Sequence, residues 1–430
     1  SFPTRRSSDL APPIKDAVEY SLALKPYEKY QLDNGIEVYS VDTGAQDVLQ
    51  LELVFFAGNC FEKQKGVAAA TNFLLKNGTT TKNAFQINEA FEYYGGYLNR
   101  SCFNETATIT LHTLSKHIDK MLPVINEMVI DSVFPQEELD IYKQNVTQRL
   151  KVNLQKAEFV AGRLIDSYIY GDHHPYGVYT NMLDIEALTR EACVAFYKEY
   201  YLSGNCIIFV SGKLPENLIP KLNQFFGKWT LNKNQSTLSK VIAQPSSQKK
   251  FRIDNDVNAV QGAIRIATPF PNRHHEDFKD VMVLNTLFGG FFGSRLMSNI
   301  REDKGYTYGI YSYIQNHIQE SAWLISTEAG KDVSEAAIEE VYKEMKRLRE
   351  EKIGEEELML VRNYMIGGIL GDLDGPFQIM AKWKNIILNN LDEQYFYESV
   401  NAIKTVTPER LMELANKYLQ PEKFWELVVY

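Results

Sequence analysis

Seven histidines, four cysteines and one glycine-rich run are the residues whose types could carry chemistry in this chain. His173/His174 and His274/His275 are adjacent pairs, which a strand would point to opposite faces, and neither pair has a carboxylate at ligand spacing on one helix face. They do not read as metal ligands. His112 falls inside the alternating run Thr106 to Thr113 and reads as a packed or rim histidine. Cys60, Cys102, Cys193 and Cys206 form no C-x-x-C pair and read as structural thiols. Phe288-Gly-Gly-Phe-Phe-Gly-Ser294 lacks a following Gly-Lys-Ser/Thr and a preceding strand, so it is expected to be a helix-end turn where glycine allows close backbone approach, not a phosphate cradle. No G-x-S-x-G nucleophile elbow occurs.

The composition narrows the partners. A net charge of -9, with lysines interleaved among acids, argues against a nucleic-acid surface. No apolar run approaches the roughly 20 residues that cross a bilayer, so no transmembrane segment is expected. Residues 1–25, starting Ser1-Phe-Pro-Thr-Arg-Arg, lack an apolar signal core and periodicity and are set aside as an irregular segment. Sparse cysteines fit a reducing compartment such as the cytoplasm, while the uncertain native N-terminus leaves the periplasm open.

At 430 residues the chain exceeds one ordinary core, and its elements recur in order. An Asn34-Gly35 hairpin signal opens the first unit. A buried strand follows over Val48 to Ala57, then short helices around 66–77 and Ile87 to Tyr94, a strand over Thr106 to Thr113, and helices over Lys116 to Val129 and Gln136 to Lys156. Thr189 to Leu202 and a short apolar strand close the unit. Residues 232–250 are rich in Asn, Gln, Ser and Lys and read as a linker. After Phe251 the pattern repeats, with strands from Val260, Thr307 and Ala322, helices from Glu276, Asp332 and Glu355, and a closing helix whose N-cap is Thr407 before Pro408. The closing units at Leu202 and Leu419 lie 217 residues apart, which points to an internal duplication. The expected fold is α+β, two homologous domains over 26–231 and 251–430, each a mostly antiparallel sheet flanked by helices.

Several motifs fall together in one order: Leu32-x-Asn-Gly, Gly95-Gly96-x-Leu-Asn99, His174-Pro-Tyr-Gly177, Phe288-Gly-Gly-x-x-Gly-Ser-Arg-Leu-Met297 and Ile300-Arg-Glu-x-x-Gly-Tyr-x-Tyr308. From about Tyr30 to the end the chain resembles the pitrilysin/insulinase family of zinc peptidases, the inverzincins that include mitochondrial processing peptidase. The resemblance implies two domains facing across a cleft that holds an extended peptide. It also implies a helix bearing H-x-x-E-H, with two zinc-binding histidines and a glutamate base. Registered on Gly66 and Gly78-Thr79, those positions are Ala69, Asn72 and Phe73. The family's third ligand, a glutamate, would fall in Lys143 to Ala157, where no Asp or Glu occurs and the near-register residues are Gln144, Gln148 and Arg149. No metal is therefore expected on this chain.

The family's other contribution, an arginine and a tyrosine in the second domain, maps onto Arg301 and Tyr308. Taken singly they read as a helix-end charge and a strand aromatic. Within the motif they imply a clamp on a substrate carbonyl or carboxylate and a hydroxyl donor to an oxyanion. The resemblance thus implies a non-catalytic subunit that pairs with an H-x-x-E-H chain holding zinc and supplies Arg301 and Tyr308 in trans for metal-dependent proteolysis of peptides. The alternative is a non-enzymatic peptide-binding or scaffold protein on the same fold.

Overall fold

The computed structural model describes residues 16–231, 238 and 241–430; the rest of the expected N-terminal segment and of the 232–250 linker lies outside the described residues. Two sheets carry the architecture. The first is formed by β1 (Glu28–Gln31), β2 (Glu37–Asp42), β3 (Val48–Phe55), β4 (Tyr97–Cys102), β5 (Ala107–Leu114) and β6 (Cys206–Gly212), in the order β1-β2-β6-β3-β5-β4. The second is formed by β7 (Lys250–Ile253), β8 (Gln261–Phe270), β9 (Thr307–Asn316), β10 (Ser321–Gly330) and β11 (Trp425–Val429), in the order β7-β11-β8-β10-β9.

Superposing the two orders, with β2 to β6 on β7 to β11, gives identical topology. In each, the first strand of the unit runs parallel to the last, β2 with β6 and β7 with β11, and the other pairs are antiparallel. The β1–β2 hairpin, turning at Asn34-Gly35 with Gly35 at φ +94°, is an addition to the first unit. Both copies leave a corresponding edge strand unpaired on one side, β4 and β9.

The helices of the first half are α1 (Val67–Leu74), α2 (Ala84–Glu92), α3 (Ile118–Ile130), α4 (Gln136–Asn153), α5 (Ala157–Tyr170), α6 (Met182–Glu186), α7 (Arg190–Tyr197) and α8 (Leu218–Phe226). Those of the second are α9 (Phe278–Asn285), α10 (Ser334–Glu350), α11 (Glu355–Asp372), α12 (Pro376–Leu388), α13 (Glu393–Thr405) and α14 (Pro408–Tyr418). Period-2 alternation divides the first sheet: Leu49, Leu51, Leu53 and Phe55 face α1, α3 and α7, while Val54 and Phe209 face the other way.

That second face is covered by α12, from the other half of the chain. Reciprocally, α5 leaves the first half and lies on β8 and β11, packing Ala161, Ile165 and Ile169 against Ala263, Ala267, Ala322 and Leu427. The three alanines on the sheet let the helix approach closely. Each half therefore lends one helix to the other's sheet. The exchange carries one charged link, Lys384 Nζ of α12 to the buried Glu52 carboxylate of β3 at 2.8 Å.

Four expectations change. The long helix from Gln136 ends at Asn153, because Leu154 to Lys156 turn the chain into α5. His173/His174 and His274/His275 lie in turns, not strands, and His174 is buried with Nδ1 accepting from the Tyr176 amide. The N-terminal stretch from Asp16 is irregular but not outside the fold, since Ala17, Leu22 and Leu24 are buried against the second half and Trp383 Nε1 donates to the Lys25 carbonyl. The described end of the linker is tied down as well, with the Gln244 and Ser246 amides donating to the carbonyls of Tyr170 and Tyr168.

The halves also meet at their hairpin tips. Tyr176, from His174-Pro-Tyr-Gly177, donates its hydroxyl to Glu105 at 2.5 Å, and the Ile318 amide donates to the same oxygen at 3.0 Å. The Tyr176 ring stacks on His317 at 4.0 Å. Burial, with His174 nearby, pushes the His317 imidazole down to about 4, so that ring is uncharged near neutrality.

Candidate functional site

Helix α1 begins at Gly66, whose φ of +86° favours glycine, and its first turn is capped by Glu62. That carboxylate accepts from the amides of Gly66 at 2.9 Å and Ala68 at 3.0 Å, an acid placed at the positive end of the helix. Burial pushes the Glu62 carboxyl up, and the two amide donors oppose it. Val67, Ala70 and Leu74 form the buried stripe.

The three positions registered on the H-x-x-E-H motif, Ala69, Asn72 and Phe73, are filled for packing. Ala69 presents a methyl. Asn72 is buried and its amide donates to the Thr108 carbonyl at 3.3 Å and to the Tyr201 hydroxyl at 3.2 Å. Phe73 packs on Tyr142 of α4 in a tilted pair, with ring centroids 4.9 Å apart. The residues present do not fit zinc: a methyl, an amide committed to a carbonyl and a phenol, and an aromatic ring offer no ligand set. Among the described residues no three His, Cys, Asp or Glu side chains come together in a group able to hold a metal ion.

A cation occupies this neighbourhood. Arg100 of β4 sits on the same side of its strand as Leu98 and Cys102, and its guanidinium lies 4.9 Å from the Phe73 ring centre. Nη1 donates to the Phe73 carbonyl, in the last turn of α1, and to Asn77 Oδ1 at 3.2 Å. Burial lowers the Arg100 pKa to about 10, still well above neutrality. Sequence reasoning passed over Arg100. The signal was available: an arginine on the inward parity of a strand, two residues after a core leucine.

The second group lies on the other sheet. Met297–Asp303 is a short π-helical stretch that carries Arg301, and it ends where Gly305 takes φ +65°. The Arg301 guanidinium is 4.5 Å from the Phe292 ring centre and 5.6 Å from that of Tyr308. Tyr308 is 93% exposed although it shares strand parity with the buried Ile310, Ser312 and Ile314. The cause is a bulge in β9: between the pairs Ile310–Thr327 and Thr307–Ala329 it runs three residues against two in β10, so the inward–outward alternation is broken at Tyr308 and Gly309.

The glycine-rich run has the expected close approach: a Cβ on Gly289 would lie 2.6 Å from Ser312 Cβ of β9. Ser312 donates to Asn285 Oδ1 at 2.7 Å, locking that strand to α9. Arg301 and Tyr308 are thus brought together, as are Ala69, Asn72 and Phe73. Among the described residues no hydrogen bond, ion pair or ring contact joins the two groups.

Comparison with known proteins gives a family. Residues 37–175 match the sequence model of Insulinase (Peptidase family M16), and residues 187–365 match that of the Peptidase M16 inactive domain. The chain belongs to the M16 insulinase family. The "Uncharacterized zinc protease YmxG" of Bacillus subtilis is 22% identical to this M16 chain over 394 residues, covering 91% of this chain and 95% of the relative. Among solved structures, a protease from Helicobacter pylori superposes with a TM-score of 0.84 at 18% identity, covering 94% and 99% of the two chains. A peptidase M16 inactive domain from Pseudomonas fluorescens gives 0.82 at 22% identity, covering 94% and 98%. These likenesses are to an M16 fold, two sheets flanked by helices.

Proposed function

We propose that this M16 chain is the metal-free half of a two-chain peptidase: it pairs with an H-x-x-E-H chain, which holds the zinc, and supplies Arg301 and Tyr308 to the peptide bound between them. One observation carries the reading. A tyrosine hydroxyl and an arginine are held against each other and presented to solvent, with Tyr308 93% exposed and making no hydrogen bond within the described residues. An exposed tyrosine on an edge strand has no packing role to explain it, whereas an oxyanion donor must be free until a substrate arrives. The packed-in state of Ala69, Asn72 and Phe73 supports the division of labour, since the frame of α1 stays while its ligands are gone.

The extended peptide would run along an unpaired strand edge, where backbone donors and acceptors are free. The test is co-purification from the native source of an H-x-x-E-H chain, followed by peptide hydrolysis by the pair. Arg301→Ala and Tyr308→Phe should each lower kcat/KM by about 10²-fold or more, the order for loss of one oxyanion donor. Unchanged turnover in both variants sinks the proposal, and partner binding without hydrolysis, insensitive to Tyr308→Phe, would favour a scaffold instead.

A further inference from the structure

An arginine as enclosed as Arg100 normally has a carboxylate beside it. Here none does. Among the described residues the guanidinium donates only to a backbone carbonyl and a side-chain amide, both through Nη1. Its Nε is buried without a partner. Its Nη2 makes no hydrogen bond and is not among the buried unpaired atoms, so it remains open to solvent on the edge strand β4. Nη2 is therefore the accessible donor, and an anion seated on it would supply the counter-charge that the enclosed cation lacks. Nη1 is fastened to the end of α1, and the guanidinium lies over Phe73. The donor is thus oriented before any ligand arrives, which removes much of the entropy cost of using it.

We propose that Arg100 is a carboxylate receptor: it binds an acidic side chain or C-terminal carboxylate of a peptide lying along β4, at the place where a metal-bearing relative would hold zinc. Capping of α1 by Nη1 alone leaves the open Nη2 donor and the missing counter-charge unexplained, since one donor suffices for that role. The inference rests on the peptide-binding part of the proposed function but not on a partner chain, and it narrows the ligand to acidic peptides.

The test is fluorescence anisotropy on the whole chain alone, with labelled extended decapeptides that differ only by Glu or Gln at a central position, each with a free or an amidated C-terminus. The carboxylate peptides should bind about 10-fold or more tighter than their neutral isosteres, as a charge-assisted contact to an otherwise uncompensated cation warrants. The position of the preferred carboxylate, central or terminal, tells the two sources apart. Arg100→Gln should abolish the preference. Should that variant fail to fold by its thermal melt, Arg100→Lys, which keeps the charge and loses the planar group that holds Nη2 in place, must shrink the preference to within about 3-fold. Equal binding of all four peptides, or a preference that survives these substitutions, overturns the receptor and leaves the two-chain reading standing. Failure of any peptide to bind at millimolar concentration overturns both the receptor and the peptide-binding part of the proposed function.

Discussion

The exchanged helix α12 is testable through one ion pair. Lys384 reaches from α12 to Glu52 in the middle of β3, and the two side chains differ in exposure, 29% against 8%. Lys384→Met removes the only cation paired with Glu52 among the described residues and leaves a carboxylate in a poorly solvated site. Breaking a buried pair costs about 3–5 kcal/mol, and the partial opening at the lysine end argues for the lower bound, about 3 kcal/mol. Glu52→Gln leaves the lysine to turn to water through its exposed end and should cost no more than about 1 kcal/mol. The double variant should resemble Glu52→Gln, because no uncompensated charge remains. In thermal denaturation the single lysine variant should melt about 6–12 °C lower, at roughly 2–4 °C per kcal/mol for units of this size. A Lys384→Met protein as stable as the parent, or a double variant as unstable as it, would refute the claim that Glu52 depends on the borrowed helix.

Two further outcomes follow from the site and the second half. Restoring Ala69→His, Asn72→Glu and Phe73→His together should not produce a chain with stoichiometric zinc after dialysis, since α4 offers no carboxylate over 141–157 and Arg100 remains close; elemental analysis giving one zinc per chain would contradict this. Asp277, buried beneath α14, would be raised by burial alone, but hydrogen bonds from Lys417, Tyr418 and Arg410 outweigh that and hold its carboxyl at about 2, below the unfolded value near 3.8. A depressed carboxyl contributes stability that is present above the unfolded pKa and lost as pH falls through the folded one. Denaturant titrations should therefore show about 1–2 kcal/mol lost between pH 4 and 2, discounted for the partly solvated lysine and arginine, and Asp277→Asn should remove that dependence.

The local part of the structure was legible in the sequence. Alternation marked β3 and β5, the Asn34-Gly35 turn marked the first hairpin, and Thr407 before Pro408 marked α14, where the Thr407 hydroxyl accepts from the Arg410 amide. Recurrence of one element order announced two like sheets, and the topologies match. The exchange of α5 and α12 was not legible, because an amphipathic helix states that it has an apolar face and not which sheet receives it. Arg301 and Tyr308 were found through a motif, yet their spacing said nothing of the bulge that turns Tyr308 outward. Arg100 was overlooked because strand parity was used to place apolar residues and never asked what an inward charge would meet.

The duplication gives the two edges a common logic. β4 and β9 are equivalent strands, each unpaired on one side, and each has an arginine laid on aromatic rings beside it: Arg100, in β4, on Phe73, and Arg301, in the π-helical stretch before β9, on Phe292 and Tyr308. Against a net charge of -9, both edges thus present a fixed cation. For the second sheet that is compatible with a peptide carbonyl or an oxyanion and with a metal held elsewhere. For the first sheet it opposes a metal held here, because a dication next to a permanent guanidinium loses Coulomb energy that weak ligands could not restore. The absence of metal ligands at Ala69, Asn72 and Phe73 and the presence of Arg100 act in the same direction. Placing ligands on the helix alone would leave that repulsion in place, so on this account exclusion of a metal depends on β4 as much as on α1.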